Sequence, residues 1–252
     1  MLHRSAPPGA EPDYFRCLLA VRSTPVICRI SVLASRSENT YTGRMVIDGR
    51  TRRWGAGKAA AVRCLYAASC PLTQVEIAAA VGVSQPAVSQ YLSSLHANGD
   101  VSFADPGWLA NRAQLPSSYW ESYASRFADQ SCWYRIDAPT AQVADLVRRV
   151  PELIVSGDVA ADVVAPWKVP AVGIVYGDVA DSIIGDLWFV RADKPSTASV
   201  LLRPVPEASF ATDAVEHQSM PIAPYLHLVA DLIGLGGDDR REAAARFEQL
   251  AT

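Results

Sequence analysis

No two cysteines in this chain stand at a metal-binding or redox spacing. The five (Cys17, Cys28, Cys64, Cys70 and Cys132) are odd in number and form no Cys-x-x-Cys, and His3, His96, His217 and His227 form no local cluster. Structural zinc and a disulfide framework are both disfavoured. Long apolar runs are missing as well. The most apolar N-terminal stretch, "CLLAVRSTPVICRISVLA", is broken by Arg22 and Arg29, too broken for a membrane span and without a signal-peptide core. A soluble cytoplasmic protein with no membrane partner is the expectation.

Catalytic signatures are equally scarce. Two-metal nucleotidyl transfer holds its ions with carboxylates two apart on a strand. Residues 116–252 contain no Asp-x-Asp, Asp-x-Glu or Glu-x-Asp. A Gly-x-Ser-x-Gly elbow and an HExxH zinc helix are absent too. "WGAGKA" is not a phosphate loop: Arg52 stands where that loop has its first Gly, and Ala59 where it has Ser or Thr. In "IVSGDVAAD", Asp158 and Asp162 read as helix-end and surface carboxylates. No enzyme, no cofactor and no metal site are expected, and a nucleotidyl-transferring enzyme with a DNA-binding arm is the weakest reading.

What the chain does have is an uneven distribution of charge. Residues 1–44 carry six arginines against three acids, residues 45–115 six bases against four acids, and residues 116–252 eleven bases against nineteen acids. A basic front and an acidic back suit a front that meets phosphate. Residues 1–44 ("APPGAEP", "SRSENTYTGR") show no sustained period and read as a poorly ordered arm or a non-native upstream extension, with Met45 a candidate initiator. Organised sequence begins there, as a front module over 45–115 and a back domain over 116–252.

In the front module, "KAAAVRCLYAAS" places Val62, Leu65, Tyr66 and Ser69 on one helical face, and Pro71 ends it. Thr73 and Glu76 form a capping box for a second helix running to about Val81. Gly82 supplies a turn at positive φ. Ser84 caps a third helix with Pro86 in its first turn, and Gly99 is its left-handed end. "VSFADPGWLA" then reads as a hairpin around Asp105-Pro106-Gly107.

That order of helix, helix, turn, helix and hairpin is a winged helix-turn-helix. Ile77, Val81, Val83, Val88, Leu92 and Leu95 lock the two central helices, with Ala78 small where they cross. The face left exposed holds Ser84, Gln85, Ser89, Gln90 and Ser93, short or amide side chains suited to base edges in a major groove. Thr73, Ser84, Gln85, Pro86, Ser89 and Gln90 are the candidate DNA-binding residues of the helix pair, and Arg52, Arg53 and Lys58 the candidate phosphate contacts. The plainer alternative is a helical hairpin with a solvated Ser/Gln face.

The back domain reads as mixed α+β. "SSYWESYASRFADQSCWYRID" looks like a connector running into a strand at "CWYRID", and "TAQVADLVRRV" is a helix with Val143, Leu146, Val147 and Val150 on one face. "AVGIVYG", "DLWFVRA" and "ASVLLRPV" are strand candidates. Two helices hinged at Gly236-Gly237 close the chain.

Two of these stretches, "LIVSGDVAADVVAPWKVPAVGIVY" and "APYLHLVADLIGLGGDDRREAAARF", resemble the C-terminal domain of the AbiEi-type antitoxins of abortive-infection toxin–antitoxin systems. The resemblance rests on Ser156, Gly157, Ala160 and Ala161 ahead of an Ala-Pro strand start. It rests also on Leu226, Leu232, Gly236, Gly237, Arg240, Glu242, Ala243 and Ala244, a Leu-rich helix, a Gly break and an Arg…Glu-Ala-Ala helix. The front module is similar to that family's winged helix, so the resemblance spans about Met45 to Leu250. It implies a repressor of its own operon and an antitoxin that neutralises a nucleotidyltransferase toxin encoded beside it, with or without direct contact. Double-stranded operator DNA, an inverted repeat bound by a homodimer, is the expected partner beside the toxin. The alternative is a winged-helix regulator whose C-terminal domain senses a small ligand.

Overall fold

Helix α1, Ala56–Ala67, buries Val62, Leu65 and Tyr66 as their spacing predicts. It buries Ala59, Ala60, Ala61 and Arg63 as well, so burial is broader than one stripe. The helix ends short of Pro71 and leaves Ser69, expected on that face, exposed beyond it. The computed structural model describes residues 54–250; the expected arm, the boundary at 44/45, Arg52 and Arg53 lie outside the described residues. Thr73 opens α2, Gln74–Val81, with both halves of the capping box: the Glu76 N–H donates to Thr73 Oγ1 at 3.3 Å, and the Thr73 N–H to Glu76 Oε2 at 2.8 Å. Gly82 is left-handed, with φ 69°, and turns the chain into α3, Gln85–Ala97. Beyond α3 the N–H groups of Gly99 and Asp100 donate to the His96 and Leu95 carbonyls, closing the helix as a Schellman motif. Strands β1, Val101–Ala104, and β2, Gly107–Ala110, pair antiparallel as the expected hairpin.

The expected connector after Pro116 is a helix instead. Helix α4, Leu115–Tyr123, runs into a 3₁₀ segment, Ala124–Asp129, before β3, Ser131–Tyr134. Tyr119, Tyr123 and Phe127 recur every four residues, and all three are buried. The Tyr119 and Tyr123 rings stack with centroids 4.5 Å apart.

Next come α5, Pro139–Arg149, β4, Ile154–Ser156, α6, Gly157–Val164, and β5, Gly173–Tyr176. Helix α7, Asp181–Asp186, precedes β6, Val190–Arg191, so most of the expected strand "DLWFVRA" is a helix end and a turn. The phenyl and indole groups suggested a strand there, but Leu187 and Trp188 close α7 through helix-terminal hydrogen bonds. Strand β7, Val200–Arg203, is followed by α8, Ala208–Thr212, and by a hairpin of β8, Val215–His217, and β9, Met220–Ile222. Helices α9, Tyr225–Leu235, and α10, Asp238–Leu250, meet at Gly236 and Gly237, both at positive φ.

The strands of the back half form one mixed sheet in the order β6-β3-β7-β5-β4-β9-β8. The β5–β7 and β4–β9 pairs are parallel and the others antiparallel. The architecture is thus α+β. Both faces of the sheet's central strands, β7, β5 and β4, are covered, and their alternate side chains serve different cores. Ile154, Ile174, Tyr176 and Leu201 pack with Trp54, Leu65, Tyr119 and Leu226. Val155, Val175, Val200 and Leu202 pack with Val143, Leu146, Val159 and Phe247. The first of these cores therefore includes α1 and runs without interruption past residues 115 and 116.

Candidate nucleic-acid interface

The front of the described chain is three helices and a hairpin, and the hairpin is tied to the segment between α1 and α2. Leu72 and Trp108 exchange both backbone hydrogen bonds, at 3.0 and 2.8 Å. Only glycine fits at position 107, because a Cβ there would lie 2.6 Å from the Leu72 carbonyl carbon. Sequence and geometry agree at this point: the one residue without a side chain sits where two backbones touch.

Helix α3 buries Val88, Leu92 and Leu95 and leaves Ser84, Gln85, Pro86, Gln90 and Ser93 exposed, with Ser89 half-buried. Ser84 has the extended backbone of an N-cap, yet its hydroxyl makes no capping bond, which departs from its expected role. Pro86 lies in the first turn as expected. Thr73 is less available. Its hydroxyl donates to Glu76 Oε2 at 2.8 Å and accepts the Glu76 N–H, so both capacities serve the start of α2.

Among the described residues, two of the front's three Lys and Arg side chains are turned inward. Arg63 is buried, and Arg112 donates to the Ala68 carbonyl at 2.9 Å with its guanidinium over the Tyr66 ring. Lys58 stands beside α3: its Nζ lies 2.9 Å from Ser94 Oγ and 4.6 Å from the centre of the Trp54 ring. Ser94 was not among the sequence candidates, although it follows Gln90 by one helical turn. The hairpin carries Phe103, 57% exposed, and Asp105 at its turn, so it brings an aromatic ring rather than a cation.

Behind α1 lies a buried polar chain that the sequence reading missed. Arg63 Nη1 donates to Glu207 Oε1 and, at 3.1 Å, to Tyr119 Oη; its Nε donates to Asp213 at 2.7 Å. His227 sets Nδ1 3.2 Å from Tyr119 Oη and Nε2 2.8 Å from Tyr176 Oη. Tyr176 donates to Asp231, which also accepts from Ser156 Oγ and Arg203 Nη1, both at 2.6 Å. Burial pushes His227 down to about 4, so its ring is neutral at pH 7, and pushes Tyr119 up to about 12. Burial works against charge on Arg63 as well, but Tyr119, Asp213 and Glu207 outweigh it and keep the guanidinium charged.

A second clasp joins the two stretches that carry the family resemblance. Asp158, expected at the surface, is buried at the start of α6, where it accepts from Arg240 Nε and Nη2 at 2.7 and 2.8 Å and from the Ala171 and Val172 N–H groups. Burial alone would raise its pKa; the Arg240 bonds prevail and hold the carboxyl below its usual range. Its helix-end position is as expected, and Arg240 is the reason it can leave the surface.

Comparison with known protein families, curated proteins and solved structures finds no match. Among the described residues no helix is long and apolar enough to cross a membrane, and no group of three or more His, Cys, Asp or Glu side chains is gathered for a metal ion.

Proposed function

We propose that the chain binds double-stranded DNA as a transcriptional repressor, with α1 to α3 and the β1–β2 hairpin acting as a winged helix and α3 lying in the major groove. The observation that carries this reading is the division of α3 into two faces. Val88, Leu92 and Leu95 fasten one face to the fold, while Ser84 and Gln85 stand exposed at the helix start and Gln90 and Ser93 on the opposite face. Amide side chains can bond two acceptor or donor positions of one base edge, and a Ser beside them can serve either. Lys58, beside the same helix, supplies a phosphate contact, and Arg52 and Arg53 precede it in the chain. The resemblance to AbiEi-type antitoxins extends the proposal to repression of a toxin–antitoxin operon, with the back half acting against a nucleotidyltransferase toxin. That second step is supported by the resemblance alone.

The test of the first step is selection from a pool of random DNA duplexes by the full chain. Enrichment of a defined motif is the expected result, and a pool that stays random at low salt contradicts it. The second step is tested by growth of cells expressing the neighbouring toxin. Rescue by the full chain from a foreign promoter supports the antitoxin role, and continued arrest refutes it.

A further inference from the structure

Tyr134, Ile136, Trp188 and Val190 border one open groove of about 650 Å³ at the β6 edge of the sheet. Ile136 is 90% exposed, Trp188 83%, Val190 64% and Tyr134 48%. An apolar cluster this exposed needs an explanation, unlike a single surface hydrophobe.

Trp188 is also held in a strained conformation. It occupies the left-handed position that ends α7, with φ 60°; its N–H donates to the Gly185 carbonyl and the Phe189 N–H to that of Ile184, the Schellman arrangement. Glycine is the usual residue at that position, because a Cβ is disfavoured there. Here the sequence places its largest side chain at the one point of the turn where it costs stability, and the indole faces solvent.

The charges around the groove are already neutralised within the chain. Arg135 bridges Asp137 and Asp145 at 2.6 and 2.8 Å, and Arg148 meets Asp145 at 2.9 Å. An apolar centre with paired charges of both signs is poorly matched to a polyanion or an acidic peptide. It is well matched to a copy of itself.

We propose that this face pairs two copies of the chain about a two-fold axis, the Trp188 indole of each entering the groove of the other. Such an interface uses one patch twice. With a large aromatic side chain presenting about 150–250 Å², the four side chains offer roughly 500 Å² per copy. Two such faces together remove about 1,000 Å² from water, the size at which specific association begins. The pairing stands on this surface and not on the DNA reading; the β6 edge is formed by the back half and shares no residue with α3.

Sedimentation velocity of the full chain, without DNA and across the micromolar range, tests it. The wild-type chain is expected to pass from monomer to dimer as concentration rises. Trp188→Gly removes the indole and relieves the backbone, so it is expected to weaken dimerisation at least about tenfold while melting no lower than wild type when both are monomeric. Ile136→Lys, at a position nine-tenths exposed, is expected to weaken it similarly without unfolding. A wild-type chain that stays monomeric throughout, or a Trp188→Gly chain that dimerises as before, overturns the proposal. A chain that stays monomeric across that range yet selects a DNA motif would overturn the pairing and leave the DNA reading standing.

Discussion

Arg63 of α1 is ion-paired with Glu207, 144 residues further along the chain, and both side chains are buried. Without the Glu207 charge Arg63 keeps only the half-exposed Asp213, so the cost is that of a lost charged hydrogen bond, about 1.5–3 kcal/mol, rather than that of an unpaired buried charge. Glu207→Gln is therefore expected to lower the unfolding free energy of the full chain by that order in urea titrations. A Glu207→Gln chain within about 1 kcal/mol of wild type would mean that water reaches the pair.

The same contact bears on the front module as a separate piece. A fragment of residues 45–115 would lose Glu207 and Asp213 from Arg63 and expose Trp54 and Leu65, which pack with Tyr119 and Leu226. It is expected to lack a cooperative thermal transition by circular dichroism and to bind DNA far more weakly than the full chain. A cooperatively folding fragment would contradict the shared core.

Local features were the legible ones. The Thr73–Glu76 box, the left-handed Gly82 and Gly99 and the hairpin at Asp105-Pro106 depend on neighbours in sequence, and short-range rules suffice for them. Long-range pairing was not legible, because one residue gives no sign of a partner more than 100 positions away. Two signals could have been used. Arg63 shares a face with Ala59 and Tyr66, and Asp231 interrupts the apolar run "LVADLIG"; a charge on a buried face implies a buried counter-charge. Aromatic residues at four-residue spacing in "YWESYASRF" signalled α4, but Ser-rich composition pointed to a connector. For α3 the exposed face was readable from Val88, Leu92 and Leu95, whereas the capture of Thr73 by its own cap and the inward turn of Arg63 were not.

His227 makes stability depend on acid. Its folded form refuses a proton below about pH 6.5, where the unfolded chain accepts one, and takes it up only near pH 4. Stability is therefore complete above about 6.5 and falls as pH drops from there towards 4, by about 3 kcal/mol in all for a shift of this size. Asp158, held below the usual carboxylate range in the folded state, adds a further loss below about pH 4. His227→Gln, which cannot titrate, should flatten the slope between those limits. An imidazole titration midpoint near 6.5 in NMR spectra of the folded chain would contradict a buried neutral ring.

Lys58 is expected to act on DNA through charge alone. Lys58→Gln should weaken binding to every duplex about equally and flatten the slope of log K against log salt by about 0.9. Ser94→Ala, which removes the 2.9 Å partner but keeps the ammonium, should leave that slope unchanged. A Lys58→Gln chain with the wild-type slope would show that Lys58 touches no phosphate.

The most direct test of the central claim, that the exposed face of α3 reads DNA sequence, is a titration of Gln85→Ala and Gln90→Ala chains at fixed salt. Each is measured on the selected duplex and on a scrambled one. Both positions are exposed, so the fold and its melting temperature should be retained. Each substitution should cost about 1–3 kcal/mol on the selected duplex and leave the scrambled one nearly unaffected. Equal losses on the two duplexes, or no loss on either, would contradict base reading by α3.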